Sequence, residues 1–233
     1  MKAVLFDLDG TLLPMDQEVF VKDYLGRMAA FLTPHGYDPE KLIQAVWKGT
    51  GAMVKNDGKA SNEDVFWQVF NDMMEKDARQ DSALFEEFYR GDFQKARQSC
   101  GFQPAAASAV REIRSLGYQV ILATNPLFPA VATQSRIRWA GLTPEDFECI
   151  TTYENARFCK PNPDYYQEIL GKLNLDPSDC LMVGNDVDED MIAETLGMRV
   201  FLLTDCLINR NGKDISRYPS GGFPELLQYV RSL

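Results

Sequence analysis

Two aspartates, Asp7 and Asp9, stand one residue apart directly after a short apolar run at the start of the chain. The run from Ala3 to Phe6 has the composition of a buried parallel strand. Side chains of a strand alternate between its two faces, so the two carboxylates are predicted to point to the same side. Two anions held side by side repel each other, and such a pair usually holds a cation or carries out chemistry. The simpler interpretation is a strand that ends in an Asp-Gly turn at Gly10.

Two further apolar runs also end in polar residues. The run from Gln119 to Ala123 is followed by Thr124 and Asn125, and the run at 180–184 is followed by an acidic loop. From residue 104 onward, helical patterns alternate with such runs, which predicts an α/β fold with a doubly wound parallel sheet covered by helices on both faces. Ligands of such sheets bind beyond the carboxyl ends of the strands. We therefore expect the three polar strand ends to form one site.

The stretch between the first strand and residue 95 has a different pattern, because its apolar residues recur at helical spacing throughout. Pro34 and Gly36 interrupt this pattern, and Ser61 marks the start of a later helix. The sequence therefore predicts an all-helical cap at 16–95, inserted into an α/β core formed by 1–15 and 96–233. Within the core, helices are predicted at 105–116, 130–140, 163–173 and 189–196, and strands at 119–123, 147–152, 180–184 and 199–203.

The composition limits the partners of the protein. The 24 Lys and Arg residues are outnumbered by 34 Asp and Glu residues, and the formal net charge of −10 disfavours binding to a nucleic acid polymer or an anionic membrane. No apolar run approaches the roughly 20 residues of a membrane-spanning helix, and the N-terminus lacks a secretion signal pattern. The five cysteines lack zinc-like or CxxC spacing. These features predict a cytoplasmic protein with free thiols and no membrane partner.

Four segments, taken together, resemble the signature motifs of the haloacid dehalogenase-like (HAD) hydrolase superfamily. The first, Asp7-Leu-Asp-Gly-Thr11, is the most specific. Thr124 resembles the second motif, Lys160 in Cys-Lys-Pro-Asn-Pro resembles the third, and the acidic loop 186–190 resembles the fourth. The segments follow the expected order from residue 7 to residue 190. The resemblance implies a Rossmann-like HAD core and a phosphatase of the helical-cap type.

This resemblance also implies a reaction and a role for each matching residue. The protein would hydrolyse a small phosphorylated metabolite with Mg²⁺ as cofactor, and Asp7 would attack phosphorus to become an aspartyl phosphate. Asp9 would protonate the leaving oxygen and later accept a proton from water. Thr124, Asn125 and Lys160 would bind the phosphoryl group, and the lysine would neutralise its charge. Mg²⁺ would be held by Asp7, the backbone carbonyl of Asp9 and a carboxylate of the fourth motif.

The register of the fourth motif allows two assignments of that last ligand. Asn185 stands where the family usually has its first aspartate. Because Mg²⁺ prefers charged oxygen ligands, Asp186 is predicted to be the direct ligand, while Asp190 would support the site through a water or by holding the loop. In the competing register, Asn185 is the ligand and Asp190 is the essential acid. Asp188 and Glu189 are expected to face solvent.

Other functions are compatible with parts of this pattern. A phosphomutase uses the same two aspartates and differs in how the cap excludes water, and a non-catalytic binding or regulatory module could keep the fold. Members that cleave carbon–halogen bonds generally lack the second aspartate, so Asp9 disfavours a dehalogenase. Taken singly, Thr124 could begin an ordinary turn, Lys160 could be a solvated loop residue, and the acidic loop could simply favour a helix dipole.

Overall fold

A parallel sheet of six strands forms the centre of the protein, of which all 233 residues are described by a computed structural model. The strands are β1 (Ala3–Phe6), β2 (Gln119–Leu122), β3 (Cys149–Ile150), β4 (Cys180–Gly184), β5 (Arg199–Leu203) and β6 (Ser220–Gly221). Their order across the sheet is β3-β2-β1-β4-β5-β6. The chain builds one half of the sheet outward from β1 and then crosses to β4 to build the other half. The reversal point between β1 and β4 is where a doubly wound sheet opens a ligand crevice.

The chain from residue 17 to residue 99 is mostly helical. It forms α1 (Gln17–Leu32), α2 (Pro39–Val54), α3 (Asn62–Met74), α4 (Ser82–Arg90) and a 3₁₀ helix (Asp92–Ser99). Three helix starts have side-chain caps: Asp16 accepts hydrogen bonds from the first backbone N–H groups of α1, Asp38 accepts one from Lys41 in α2, and Ser61 accepts one from Asp64 in α3. The boundary predicted between residues 95 and 96 falls inside the 3₁₀ helix.

Four more α-helices cover the sheet. They are α5 (Pro104–Ser115), α6 (Ala130–Trp139), α7 (Pro163–Leu173) and α8 (Phe223–Arg231). Three features differ from the sequence prediction: β6 and α8 were not predicted, β3 has two residues instead of six, and the helix predicted at 189–196 is a 3₁₀ helix at Met191–Leu196. No helix combines the length and the apolar composition needed to cross a membrane.

The two faces of the sheet pack into two separate hydrophobic cores. Val4 and Phe6 of β1 enter the larger core, which continues through the cap helices, whereas Ala3 and Leu5 enter the smaller core beneath α7. This alternation follows from the period of two along a strand. Because both faces are covered, β1 is apolar and buried at every position. The prediction of a doubly wound α/β fold with helices on both faces is confirmed.

The helical segment contacts the core at several places, and two of them lie near the strand ends. Its two connections run side by side, since Met15 and Cys100 form an antiparallel bridge. Farther along, the fully buried Asn62 at the start of α3 donates a hydrogen bond from Nδ2 to Sγ of Cys159, at 3.3 Å. The residue after Cys159 is Lys160, so the cap lies directly over the loop that carries the third motif.

Candidate active site

The carboxyl ends of β2, β1 and β4 bring the three predicted polar segments together. The N–H of Asp7 donates to the carbonyl of Val183 at 3.0 Å, and the N–H of Ala123 donates to that of Phe6 at 2.7 Å. Parallel pairing therefore continues to the last residue of each strand. Asp7, Thr124 and Asn185 follow these ends and are all buried.

Lys160 joins Asp7 to Asp190 at the centre of the site. Its Nζ lies 2.9 Å from Oδ1 of Asp7 and 2.7 Å from Oδ1 of Asp190, and its side chain is fully buried. Burial lowers the pKa of Lys160, whereas the carboxylates of Asp190 and Asp7 raise it. The carboxylates have the larger combined effect, so the pKa lies well above its ordinary value. Burial also raises the pKa of Asp190, although the ammonium beside it acts in the opposite direction. The arrangement fixes a cation against Asp7.

Thr11 connects Asp7 to Asn185. Its Oγ1 lies 3.1 Å from Oδ2 of Asp7 and 2.9 Å from Oδ1 of Asn185, so its hydroxyl can donate to either oxygen. Gly10 makes this approach possible, because its φ is +85° and a Cβ there would lie 2.4 Å from Nδ2 of Asn185. A side chain at this position would be strained and would also collide with Asn185. The glycine and threonine of the first motif thus hold the fourth motif beside Asp7.

Arg136 in α6 is a charged partner of Asp9 that the sequence did not reveal. Its Nη1 pairs with Oδ2 of Asp9, its guanidinium lies 4.2 Å from the ring centre of Phe128, and its side chain is fully buried. Burial raises the pKa of Asp9 above its ordinary value, although Arg136 acts to lower it. The other carboxylate oxygen, Oδ1, is buried without a hydrogen-bond partner, as is Nε of Arg136. One oxygen of Asp9 therefore has no partner within the protein.

The second motif contributes differently from what was expected of Asn125. The main-chain carbonyl of Thr124 accepts hydrogen bonds from Thr151 and from Tyr165, at 2.7 and 2.8 Å, which fixes the end of β2. Asn125 uses both ends of its side chain within the protein. Its Nδ2 donates to Oε2 of Glu189 at 3.1 Å, and its Oδ1 accepts from the N–H of Lys160 at 3.3 Å. Asn125 therefore ties the third and fourth motifs together.

The acidic loop gives the carboxylate of Asp186 partners other than Asp7. Its Oδ1 accepts from the N–H groups of Asp188 and Glu189, at 2.8 and 3.0 Å, and its Oδ2 lies 3.2 Å from Nη1 of Arg210. The fourth-motif residues that connect to Asp7 are instead Asn185, through Thr11, and Asp190, through Lys160. The direct metal ligand stays a prediction: these contacts with Asp7 match the competing register, in which Asn185 is the ligand and Asp190 is the essential acid.

Glu189 does not face solvent as predicted. It is partly buried and accepts the hydrogen bond from Asn125, because the capping contacts of Asp186 turn the loop back toward β2. Burial raises the pKa of Glu189 to about 7. Asp188, by contrast, lies at the surface side of the loop in an ion pair with Lys213 at 2.5 Å.

The chain is similar to known proteins along most of its length. The family model described as haloacid dehalogenase-like hydrolase matches residues 1–193. Among curated relatives, the phosphoglycolate phosphatase of Vibrio vulnificus (strain CMCP6) is 24% identical over 206 residues, which cover 88% of this chain and 84% of the relative.

Two solved structures share the fold at low sequence identity. A HAD phosphatase from Thermococcus onnurineus has a TM-score of 0.60 and 21% identity, with 99% of this chain and 98% of that chain covered. A 2-haloacid dehalogenase from Pseudomonas syringae has a TM-score of 0.62 and 22% identity, with coverage of 100% and 98%. Since the family match spans residues 1–193 and includes all four motifs, the chain belongs to the haloacid dehalogenase-like hydrolase family.

Proposed function

We propose that the protein is a phosphatase that hydrolyses phosphomonoesters through an aspartyl phosphate on Asp7. Its family makes it a hydrolase, and a relative is named as a phosphatase. The observation that supports the reaction best is the placement of Asp7 at the end of β1, with the ammonium of Lys160 at 2.9 Å and Asp9 two residues later. A carboxylate nucleophile, a fixed cation and a second acid are the groups that such a phosphoryl transfer needs.

The proposed reaction has two steps, and protons balance across them. In the first, a carboxylate oxygen of Asp7 forms a bond to phosphorus, the bond from phosphorus to the leaving oxygen breaks, and Asp9 gives that oxygen its proton. In the second, Asp9 takes a proton from a water molecule, the water oxygen bonds to phosphorus, and the acyl phosphate bond breaks to restore Asp7. The raised pKa of Asp9 suits the first step, because the proton donor must be protonated when the substrate binds.

The residues around Asp7 offer oxygen donors that fit Mg²⁺. No three acidic, His or Cys side chains gather into a metal-binding cluster. Mg²⁺ usually takes only one or two carboxylates and completes its shell with waters and substrate phosphate. The Asp7 carboxylate, the main-chain carbonyl of Asp9 and the amide oxygen of Asn185 match this need, whereas Asp186 already accepts from two backbone N–H groups and pairs with Arg210. When bound, the cation would withdraw charge from the phosphoryl oxygens.

Replacing Asn185 by Asp tests the register of the metal site. If the side-chain oxygen of Asn185 meets Mg²⁺, a carboxylate there should tighten Mg²⁺ binding by about tenfold, since a charged oxygen is the better ligand. Asp186→Ala should then change the affinity by less than about threefold. Calorimetric titration of the metal-free protein with Mg²⁺ measures both. If Asn185→Asp left the Mg²⁺ affinity unchanged and Asp186→Ala abolished it, Asp186 would be the direct ligand.

Asp9→Asn should lower kcat by about 10²–10⁴-fold, because general acid–base catalysis by one side chain typically contributes that much. The loss should be smaller for an ester whose leaving group is already a weak base, such as 4-nitrophenyl phosphate, since that oxygen needs little protonation. To measure this difference, kcat is determined for an aryl and an alkyl phosphate in both Asp9→Asn and the unmodified protein. The ratio of the two kcat values is then compared between the proteins. If Asp9→Asn lowered kcat by the same factor for both esters, Asp9 would not be the general acid.

The function itself is tested by phosphate release from a panel of phosphorylated metabolites, with and without Mg²⁺. We expect release that depends on Mg²⁺ and disappears in Asp7→Asn. Binding of panel members without any release, or release that Asp7→Asn retains, would support the alternative of a non-catalytic module or a contaminating activity. All five cysteines are free thiols, which supports the proposal of a reducing, cytoplasmic location.

A further inference from the structure

A large cavity lies between the cap helices and the core, on the α6 side of the site. Its volume is about 980 Å³, and it is bounded by residues of α1, α2, α3 and α4 and by the core segment 127–138. Cavities of this size hold whole small molecules of substantial bulk. The volume greatly exceeds what the alcohol part of a two- or three-carbon phosphate ester would fill.

The wall of the cavity is mainly aromatic and aliphatic. Of its 27 lining residues, 15 are hydrophobic, and they include rings from both sides of the cleft: Tyr24, Phe66, Trp67, Phe85, Tyr89 and Phe128. Such rings bind other planar apolar groups by edge and face contacts. The lining therefore favours a ligand with a flat apolar body.

The charged residues of the wall are mostly neutralised within the protein. Arg79 pairs with Glu63 at 3.2 Å, and Arg90 pairs with Glu86 one helical turn away. Arg138 is exposed to solvent. A carboxylate carried into the apolar part of this cavity would lose its hydration without gaining a free buried cation. The apolar part of the wall therefore disfavours an anionic leaving group, although Arg138 lines the cavity without an ion-pair partner.

Asp9 does not line the cavity, and Phe128 and Arg136 link the two. Phe128 lines the cavity, with the ring of Tyr24 at 5.3 Å, and it also lies against the guanidinium of Arg136 at 4.2 Å. Arg136 in turn pairs with Asp9. Asp9 is the residue that would protonate the leaving oxygen, so the remainder of the leaving group belongs on this side of the site.

We propose, on the basis of the phosphatase function above, that this cavity binds the leaving group and that the substrate is a phosphomonoester of a bulky, uncharged, aromatic alcohol. Hydrolysis transfers the phosphoryl group to Asp7, the proton of Asp9 goes to the ester oxygen, and the aromatic alcohol is released in the cavity. Phosphate esters of small acids are poor substrates, because their carboxylate finds no unpaired buried cation there.

The test compares 2-naphthyl phosphate with phosphoglycolate in the unmodified protein and in two variants of α2. Thr50 lines the cavity, and Thr50→Trp fills part of it, whereas Val54 is exposed on the same helix and does not line it. We expect kcat/KM to favour the naphthyl ester, and Thr50→Trp to lower the ratio of the two values by about tenfold. Val54→Trp should keep the ratio of the unmodified protein.

A binding experiment separates this proposal from the proposed function. Calorimetric titration with 2-naphthol needs no turnover, and we expect binding to the unmodified protein and to Val54→Trp but not to Thr50→Trp. If the protein released phosphate but preferred phosphoglycolate, or if it did not bind naphthol, the assignment of the cavity would be wrong. The proposed phosphatase function would still stand. Naphthol binding without release from any ester would instead overturn the phosphatase and retain an aromatic binding cavity.

Discussion

Asp7→Asn should lower kcat by at least about 10⁴-fold while leaving the protein folded. The change removes the proposed anionic nucleophile, and an amide cannot form the acyl phosphate. The fold should survive because the amide oxygen of Asn can still accept a hydrogen bond from Lys160, whose second partner, Asp190, is untouched at 2.7 Å. Steady-state kinetics and thermal unfolding of the same preparation measure the two effects.

The matched control for Asp7→Asn is Asp188→Asn, which removes the same charge from the fourth-motif loop. Asp188 pairs with Lys213 at the surface and does not contact Asp7. Its variant should keep kcat within about twofold, as surface ion pairs contribute little. If Asp7→Asn kept more than a few percent of kcat, a different residue would have to be the nucleophile.

Lys160→Met should reduce both activity and stability. Without the ammonium, the buried carboxylates of Asp7 and Asp190 lose their common counter-ion, and removal of one partner from a buried ion pair typically costs about 3–5 kcal/mol of unfolding free energy. Turnover should fall steeply as well, because the cation beside the phosphoryl group is lost. Chemical denaturation in the presence of a chelator gives the unfolding free energy without interference from metal ions.

The stability loss in Lys160→Met should depend on pH in a definite direction. Burial already raises the pKa of Asp190 in the folded protein, and removal of the cation raises it further. A carboxyl whose folded-state pKa lies above its unfolded value stabilises the fold at low pH and loses that contribution as pH rises through the folded pKa. The deficit should therefore be smaller at pH 5 than at pH 8. Lys172→Met, which removes an exposed lysine, should show a small deficit at both pH values.

Much of the fold was accessible from the sequence because the buried strands and capped helices have strong local patterns. The bounds predicted for β4 and β5 agree with the structure, since continuous apolar runs lie between turn residues. The bounds of α7 agree as well, because Asn162 caps its start and Asn174 ends it in the left-handed conformation. The weakly apolar C-terminal segment was missed, although Leu226 and Val230 stand four residues apart on the buried face of α8.

The predicted helix at 189–196 shows how side-chain contacts can override a local pattern. Asp186 accepts the N–H groups of two following residues, and Asp190 turns its carboxylate inward to Lys160 and to the N–H of Asp186. The side chain of Asp186 thus takes N–H groups at the start of the loop, a single helical turn closes from the N–H of Asp190 to the carbonyl of Asp186, and a 3₁₀ helix begins only at Met191. A sequence pattern cannot report such contacts, because Lys160 is 30 residues away along the chain.

The same limit explains which site residues were found. Asp7, Asp9, Thr124 and Lys160 stand at strand ends or in recognisable motifs, and the structure brings them to one edge of the sheet. Arg136 lies 127 residues from Asp9 in the chain and has no local feature that separates it from an ordinary helical arginine. Its buried position follows only from the packing of α6 against the first motif.

We propose that the phosphoryl group passes through Asp7, and trapping of that aspartyl phosphate tests this most directly. The protein is mixed with 2-naphthyl phosphate and Mg²⁺, quenched in acid during turnover, digested and examined by mass spectrometry, with Asp9→Asn included to slow the hydrolysis of the intermediate. We predict a phosphoryl mass increment on the peptide that contains Asp7, localised to that residue and absent in Asp7→Asn. Steady phosphate release with the phosphoryl group on another residue would contradict a role of Asp7 as nucleophile. Release with no phosphorylated peptide in either the unmodified protein or Asp9→Asn would contradict it as well.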